Sequence, residues 1–201
     1  VQVSDLRSGA TGSSISNLVA FQGKLFFAAD DGVSGSELWK SDGSAAGTGI
    51  VKNIYPSALS STPDGLRVVG STLFFTADDG VNGRELWKSD GTTPGTQLVS
   101  DLRPGLAGSS SEVQQAVLGT LNGTLLFSSD DGLHGLDLWI SDGLASGTQL
   151  IKDVNAVTVG SYPSGLTSAV GGIIFSANNG VQGDEIWFST GNAGGSLLLI
   201  D

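Results

Sequence analysis

The sequence has no cysteine, no methionine, 5 prolines and one histidine among 201 residues. Without cysteine there can be no disulfide staple, thiol nucleophile or thiolate-held metal, and the redox compartment stays open. A chain without methionine, even at its start, is expected to be a processed product or an excised segment. Basic residues are scarce, 9 against 20 acidic, for a net charge of −11. That balance excludes a surface built for nucleic acid or anionic membranes, suits a solvated exterior, and permits cation binding. No apolar run approaches the ~20 residues of a membrane-spanning helix, so no membrane insertion is expected. No signal peptide is visible. What is present is glycine, 31 residues, within a composition that is 39% hydrophobic. This is too apolar for disorder and too aperiodic in glycine for collagen.

The glycines belong to a repeat. Trp39, Trp87, Trp139 and Trp187 lie 48, 52 and 48 residues apart, and similar text surrounds each of them. The copies read KLFFAADDGVSGSELWKSDGSAAGT, TLFFTADDGVNGRELWKSDGTTPGT, TLLFSSDDGLHGLDLWISDGLASGT and GIIFSANNGVQGDEIWFSTGNAGGS. Such a period points to a solenoid, a propeller or a similar array. Short runs rich in Val, Ile, Leu and aromatics, bounded by Gly, Asp, Asn and Ser, predict about four strands per repeat. In the first repeat these are SNLVAFQ, KLFFAAD, SELWKSD and TGIVKNI. VQQAVLGTL (113–121) comes nearest to helical spacing, but the matching text elsewhere reads as strand.

LFF and ELW place large apolar side chains on consecutive residues, and successive strand residues point to opposite faces. Both faces therefore need cover, which small sheets stacked like propeller blades provide. The expected fold is all-β: a β-propeller-like array of four ~48-residue repeats, each with about four antiparallel strands. The alternative is an open segment of a larger array. The domain is expected to be one four-repeat unit, 1–201, divided near 6–53, 54–101, 102–153 and 154–201. VQVSDLRSGATGSS (1–14) aligns with QLVSDLRPGLAGSS (97–110), which predicts an extra strand at 1–5. The fourth-strand text thus occurs at 1–5, 49–53, 97–101, 149–153 and 197–201, one copy more than four repeats need. The spare strand could complete a sheet across a seam or pair with another molecule.

The loops carry the repeated chemistry. Gly32, Gly80, Gly132 and Gly180 in DDGVxG are expected at positive φ. Asp42, Asp90 and Asp142, followed by Gly43, Gly91 and Gly143 with Gly191 in the fourth copy, shape the next turn. The motif E-L-W-x-x-D-G-T is carried by Glu37-Leu38-Trp39 with Asp42-Gly43, and by Glu85-Leu86-Trp87 with Asp90-Gly91-Thr92. Asp137-Leu138-Trp139 with Asp142-Gly143 is looser, and Glu185-Ile186-Trp187 has Thr190 in place of the Asp. The chain resembles the family named for that ELWxxDGT repeat over nearly its whole length. The resemblance implies a propeller-like fold in a secreted or surface-associated bacterial protein, and brings no catalytic residue. SDGTTPGT lacks the spacing and closing aromatic of a sialidase Asp-box.

Asp30, Asp31, Asp78, Asp79, Asp130 and Asp131 are candidate calcium ligands, since hard cations want six to eight oxygens from carboxylates and carbonyls. Asn178 and Asn179 replace the pair in the fourth repeat, keeping the turn preference without the charge, which favours a turn role. The four tryptophans would make a lectin if exposed to stack on sugars, but their setting beside Leu or Ile favours packing between sheets. His134 stands where other copies have Ser, Asn or Gln, and no unique serine accompanies it for a triad. Arg7, Arg103 and Arg67 read as surface residues, and Asn122-Gly123-Thr124 is a glycosylation sequon. The expected function is a non-enzymatic, extracellular or cell-surface structural or adhesive module that self-associates through a terminal strand. Its expected partners are copies of itself or surface glycans, and no cofactor is expected beyond the calcium reading. A carbohydrate-binding propeller is the alternative.

Overall fold

The computed structural model describes residues 2–109, 116–156, 159–192 and 195–200. The strands form four antiparallel, four-stranded sheets, each with its strands in chain order. The first holds β1 (Ser16–Phe21), β2 (Lys24–Asp30), β3 (Ser36–Ser41) and β4 (Gly49–Lys52). The second holds β5 (Asp64–Val69), β6 (Thr72–Asp78), β7 (Arg84–Ser89) and β8 (Gln97–Ser100). The third is β9 (Ala116–Leu121), β10 (Thr124–Asp130), β11 (Leu136–Ser141) and β12 (Gln149–Lys152). The fourth is β13 (Ser164–Ala169), β14 (Gly172–Asn178), β15 (Asp184–Ser189) and β16 (Ser196–Ile200). Among the described residues there is no α-helix, and so no helix long and apolar enough to cross a membrane. The fold class is therefore the all-β, propeller-like repeat read from the sequence, with one sheet inside each expected repeat.

The stretch 116–121 of the helix-like text is strand β9, while 113–115 lie outside the described residues. The expected strand at 1–5 is not formed: residues 2–5 have no strand structure, and residue 1 lies outside the described residues. A fourth strand exists only where a third runs beside it, as β4 runs beside β3. Residues 2–5 have no such neighbour. The same text at 196–200 does, and pairs with β15.

Two compact units divide the chain, Val1–Gly108 and Ser109–Asp201, each holding two sheets. In the first unit, Phe26, Leu38 and Val51 on one face of sheet 1 bury against Leu73, Phe75, Ala77 and Trp87 of sheet 2. The second unit repeats this with Leu126, Leu138 and Ile151 against Ile173, Phe175, Ala177 and Trp187. Position by position the two contacts are the same. A bulge helps both. The pairing runs Leu38↔Lys52 and then Trp39↔Ile50, so Val51 is extra and joins Leu38 on the buried face. The same shift recurs between β11 and β12.

Candidate functional site

Most of the repeated polar residues can be traced to a partner inside their own unit. In the DDGVxG turn, Oδ1 of Asp30, Asp78, Asp130 and Asn178 accepts the N–H of the following glycine at 2.6–2.8 Å. The second residue does more. Oδ1 of Asp79 accepts Val81 N–H at 2.9 Å and Asn82 N–H at 2.8 Å, while Oδ2 accepts the Asn82 side chain at 2.8 Å. Asp31 does the same with Val33 and Ser34, and Asp131 with Leu133 and His134. Asn179 keeps both backbone bonds and, lacking a second oxygen, donates to Gln182 instead. Burial pushes the Asp31, Asp79 and Asp131 carboxyls up, but these hydrogen bonds bring each below its usual value.

The second acid of each pair, Asp31, Asp79 or Asp131, thus spends both oxygens on the turn itself. Asp30 spends its second oxygen on Arg7, whose Nη1 lies 2.5 Å away. Among the described residues no three His, Cys, Asp or Glu side chains gather as a metal site would require. The unique His134 is the third repeat's version of Ser34 and Asn82: its Nδ1 lies 2.7 Å from Asp131, a bond that raises its pKa. Turn glycines Gly32, Gly80, Gly132 and Gly180 all have φ of +77° to +80°. Gly80 has a second reason to be glycine, because a Cβ there would sit 2.5 Å from the Tyr55 ring.

The S-D-G…G-T turn is equally self-contained. Asp42 and Asp90 accept the N–H of Ser44 and Thr92 at 2.9 and 2.8 Å, and Asp142 that of Leu144 at 2.8 Å. The serine before each Asp was not singled out in the sequence. Ser41, Ser89 and Ser141 each accept the N–H of Gly43, Gly91 or Gly143 and meet a threonine hydroxyl seven residues on at 2.6–2.7 Å. Gly191 keeps the turn with φ +86°, bonding Ser189 although Thr190 replaces the Asp. Gly47, Gly95 and Gly147 leave room for the Asp carboxylate, into which a Cβ would project.

The glutamate of E-L-W has a role the spacing did not disclose. Glu37 is fully buried and grips the segment that leads to the next sheet. Its carboxylate accepts N–H from Ile54 (2.9 Å), Tyr55 (3.3 Å) and Ser61 (3.2 Å), and the Ser61 hydroxyl at 2.6 Å. Ser61 then returns its carbonyl to Asp78 N–H, on the next sheet, at 3.0 Å. Glu85 likewise accepts Arg103 N–H at 3.2 Å. In the third repeat the gripping residue is Asp137, bonded to Val154, Ser161 and the Ser161 hydroxyl. Being one methylene shorter than Glu37, it leaves Oδ2 buried without a partner; Oδ1 of Asp153 is in the same state. Burial, with the Asp153 charge adding to it against the Ser161 bond, pushes Asp137 up to about 6.

Trp39, Trp87, Trp139 and Trp187 are buried and offer no open ring face to a sugar. Trp139 and Trp187 donate their indole N–H to Ser129 and Ala177 carbonyls at 3.0 and 3.1 Å. Lys52 Nζ lies 5.6 Å from the Trp87 ring centre and 2.8 Å from Thr96 O, and Lys152 repeats this with Trp187 and Ser196. Lys40 donates to Gly91 O at 2.7 Å. These lysines, too, went unremarked in the sequence.

What remains open is apolar. On the face of sheet 1 turned away from sheet 2, a cavity of ≈ 250 Å³ is lined by Val3, Leu6, Ile15, Leu18, Leu25 and Phe27, among others. Leu6 packs there on Phe27, Ala29 and Trp39. On sheet 4, Ile186, Leu197 and Leu199 are exposed.

No family model and no curated protein sequence matches the chain. Solved structures do. A mutant puromycin hydrolase complexed with PGG matches at TM-score 0.55 and 15% identity, over 92% of this chain and 30% of that one. The computationally designed Ika8 protein matches at TM-score 0.48 and 14% identity, covering 97% of this chain and 50% of its own. The designed Ika4 protein gives TM-score 0.46 and 17% identity, with 90% and 94% covered. This chain therefore spans half of Ika8 and under a third of the hydrolase. Similarity at these identities bears on the fold alone.

Proposed function

We propose that this chain is a non-enzymatic structural or adhesive repeat module that acts outside the cell or at its surface by joining copies of itself. One observation carries the reading. Glu185 apart, the repeated acidic residues are taken up by turns and connections, while the outward faces of sheets 1 and 4 keep apolar side chains in water. A catalytic or ion-binding repeat would do the reverse and spare its carboxylates for a ligand. The net charge of −11 supports an environment in which non-specific adhesion must be held off while one apolar contact is kept.

Light scattering behind a sizing column, run over a range of concentrations, tests this. Species that grow with concentration are expected. A single species of 20.3 kDa at every concentration would remove the self-joining role.

A further inference from the structure

Resting on that reading, the way the copies join can be traced to the faces that sheets 1 and 4 leave open. Within both units the face carrying the E-L-W leucine of one sheet, Leu38 or Leu138, is buried against the opposite face of the next. At the first sheet, the face that would receive a preceding neighbour is covered over Phe27, Ala29 and Trp39, which are 4%, 0% and 8% exposed, but open along Leu18 and Leu25. Leu18 is 59% exposed and Leu25 38%, whereas Leu73, the counterpart of Leu25 on sheet 2, is 0% exposed. At the fourth sheet the complementary face is open. Ile186 is 43% and Leu199 45% exposed, whereas their counterparts Leu38 and Val51 are 0% and 2%. Each open face thus carries the residues that the other kind of face buries elsewhere in the same molecule.

The polar part of the contact is also present in two unmatched halves. Glu185 is the fourth repeat's counterpart of Glu37, yet it is only half-buried, and no hydrogen bond reaches its carboxylate from any described residue. Leu6, Arg7 and Ser13 are the counterparts, 48 residues earlier, of Ile54, Tyr55 and Ser61, the three residues that Glu37 holds. The segment is already placed as its counterpart is. Leu6 covers Phe27, Ala29 and Trp39, as Ile54 joins the cluster of Phe75, Ala77 and Trp87. The Ser13 carbonyl accepts Asp30 N–H at 2.8 Å, as Ser61 accepts Asp78. What Leu6, Arg7 and Ser13 lack among the described residues is an acceptor for their own N–H groups.

We infer that sheet 4 of one molecule stacks on sheet 1 of a second copy, with Glu185 of the first accepting the N–H groups of Leu6, Arg7 and Ser13 of the second. The contact is heterologous: its two sides differ, so a molecule that has given one face still has the other to offer. The occupant is a second copy because the two halves reproduce, in apolar side chains and in hydrogen bonds, an interface the chain already forms within each unit.

Two face-blocked variants test it. Leu18→Glu with Leu25→Glu puts charge on the first sheet's open face, and Ile186→Glu with Leu199→Glu puts it on the fourth's. Each is expected to be folded by circular dichroism and monomeric alone, because each has lost one side. Mixed, they should form a species of twice 20.3 kDa that grows no further, since each supplies the face the other lacks. A third variant, Glu185→Ala, leaves both apolar faces intact and should raise the concentration for half-association at least about tenfold, since charge-assisted bonds to backbone N–H are lost. If wild type associates but the mixture stays monomeric, or either blocked variant still assembles alone, the head-to-tail arrangement is wrong while self-joining stands. If Glu185→Ala associates as wild type does, the carboxylate pairing is wrong. A wild type that stays monomeric at all concentrations overturns both.

Discussion

Asp137→Asn should make the protein more stable at neutral pH, by an amount that depends on pH in a calculable way. The Asp137 carboxyl is raised from 3.8 to about 6 because it is buried, faces the charge of Asp153, and has an oxygen with no partner. A carboxyl raised by folding keeps its proton in the native state after the unfolded state has released its own. Stability is therefore unaffected below about pH 3.8, falls as pH rises towards 6, and stays at its reduced level above. Two pKa units correspond to about 3 kcal/mol. Asparagine has nearly the same shape, keeps a carbonyl oxygen for Ser161, cannot ionise, and places donor hydrogens near Asp153. Urea denaturation of wild type and variant should show a stability gap widening by about 3 kcal/mol between pH ~4 and pH ~7. Taking the difference cancels the turn aspartates, which titrate alike in both proteins. A gap that stays constant across this range would refute the reasoning. Asp137→Glu, which restores the length of Glu37, should stabilise by the other route: it completes the bond set instead of removing the charge.

Further outcomes follow from the turns. Gly43→Ala, at φ +90° with no atom near the added Cβ, should cost about 1–2 kcal/mol, read as a fall in the unfolding midpoint. Gly80→Ala, at φ +77° and against Tyr55, should cost more by the same measurement. Asp79→Asn should cost less than about 1 kcal/mol, because Asn179 builds the same turn, while Asp79→Ala should cost about 1–2 kcal/mol by chemical denaturation. The lowered Asp79 pKa adds stability that is fully present above its ordinary value of 3.8 and lost as pH falls through the lower folded value; the Asn variant should lose that acid sensitivity. Excess calcium and a chelator should leave the thermal midpoint of wild type unchanged, because the oxygens of Asp31, Asp79 and Asp131 are held by their own turns.

The tryptophan period and the doubled apolar residues LFF and ELW made the sheets legible, because strand formation and two-sided burial are local demands written in consecutive residues. The turns were legible for the same reason, since Asp79 meets its partners within three residues. Glu37 was not, because its partners lie 17 to 24 residues downstream and belong to a connection with no pattern of its own. In the linear text Glu37 stands near Asp30 and Asp31 and invites a metal reading; in space its carboxylate turns to the segment carrying Ile54 and Ser61. The missing strand at 2–5 has a related cause: its text is that of a strand, but pairing depends on a neighbour that the text does not name. The apolar character of Leu18 and Ile186 was plain in the sequence. Their exposure was not: Leu66 and Leu166, described equivalents of Leu18, pack partly buried against their cores, and Leu38, Leu86 and Leu138, the equivalents of Ile186, are buried.

The three lysines that reach backbone carbonyls carry a consequence for ionic strength. Lys40, Lys52 and Lys152 act on dipoles at hydrogen-bond distance, well inside the ~8–10 Å over which dissolved ions screen charge at physiological salt. Added salt should leave the interior of each unit nearly untouched. Its effect falls on the net charge of −11, whose mutual repulsion opposes the joining of separate molecules. Brine would then gather what fresh water disperses, with no residue changing its state.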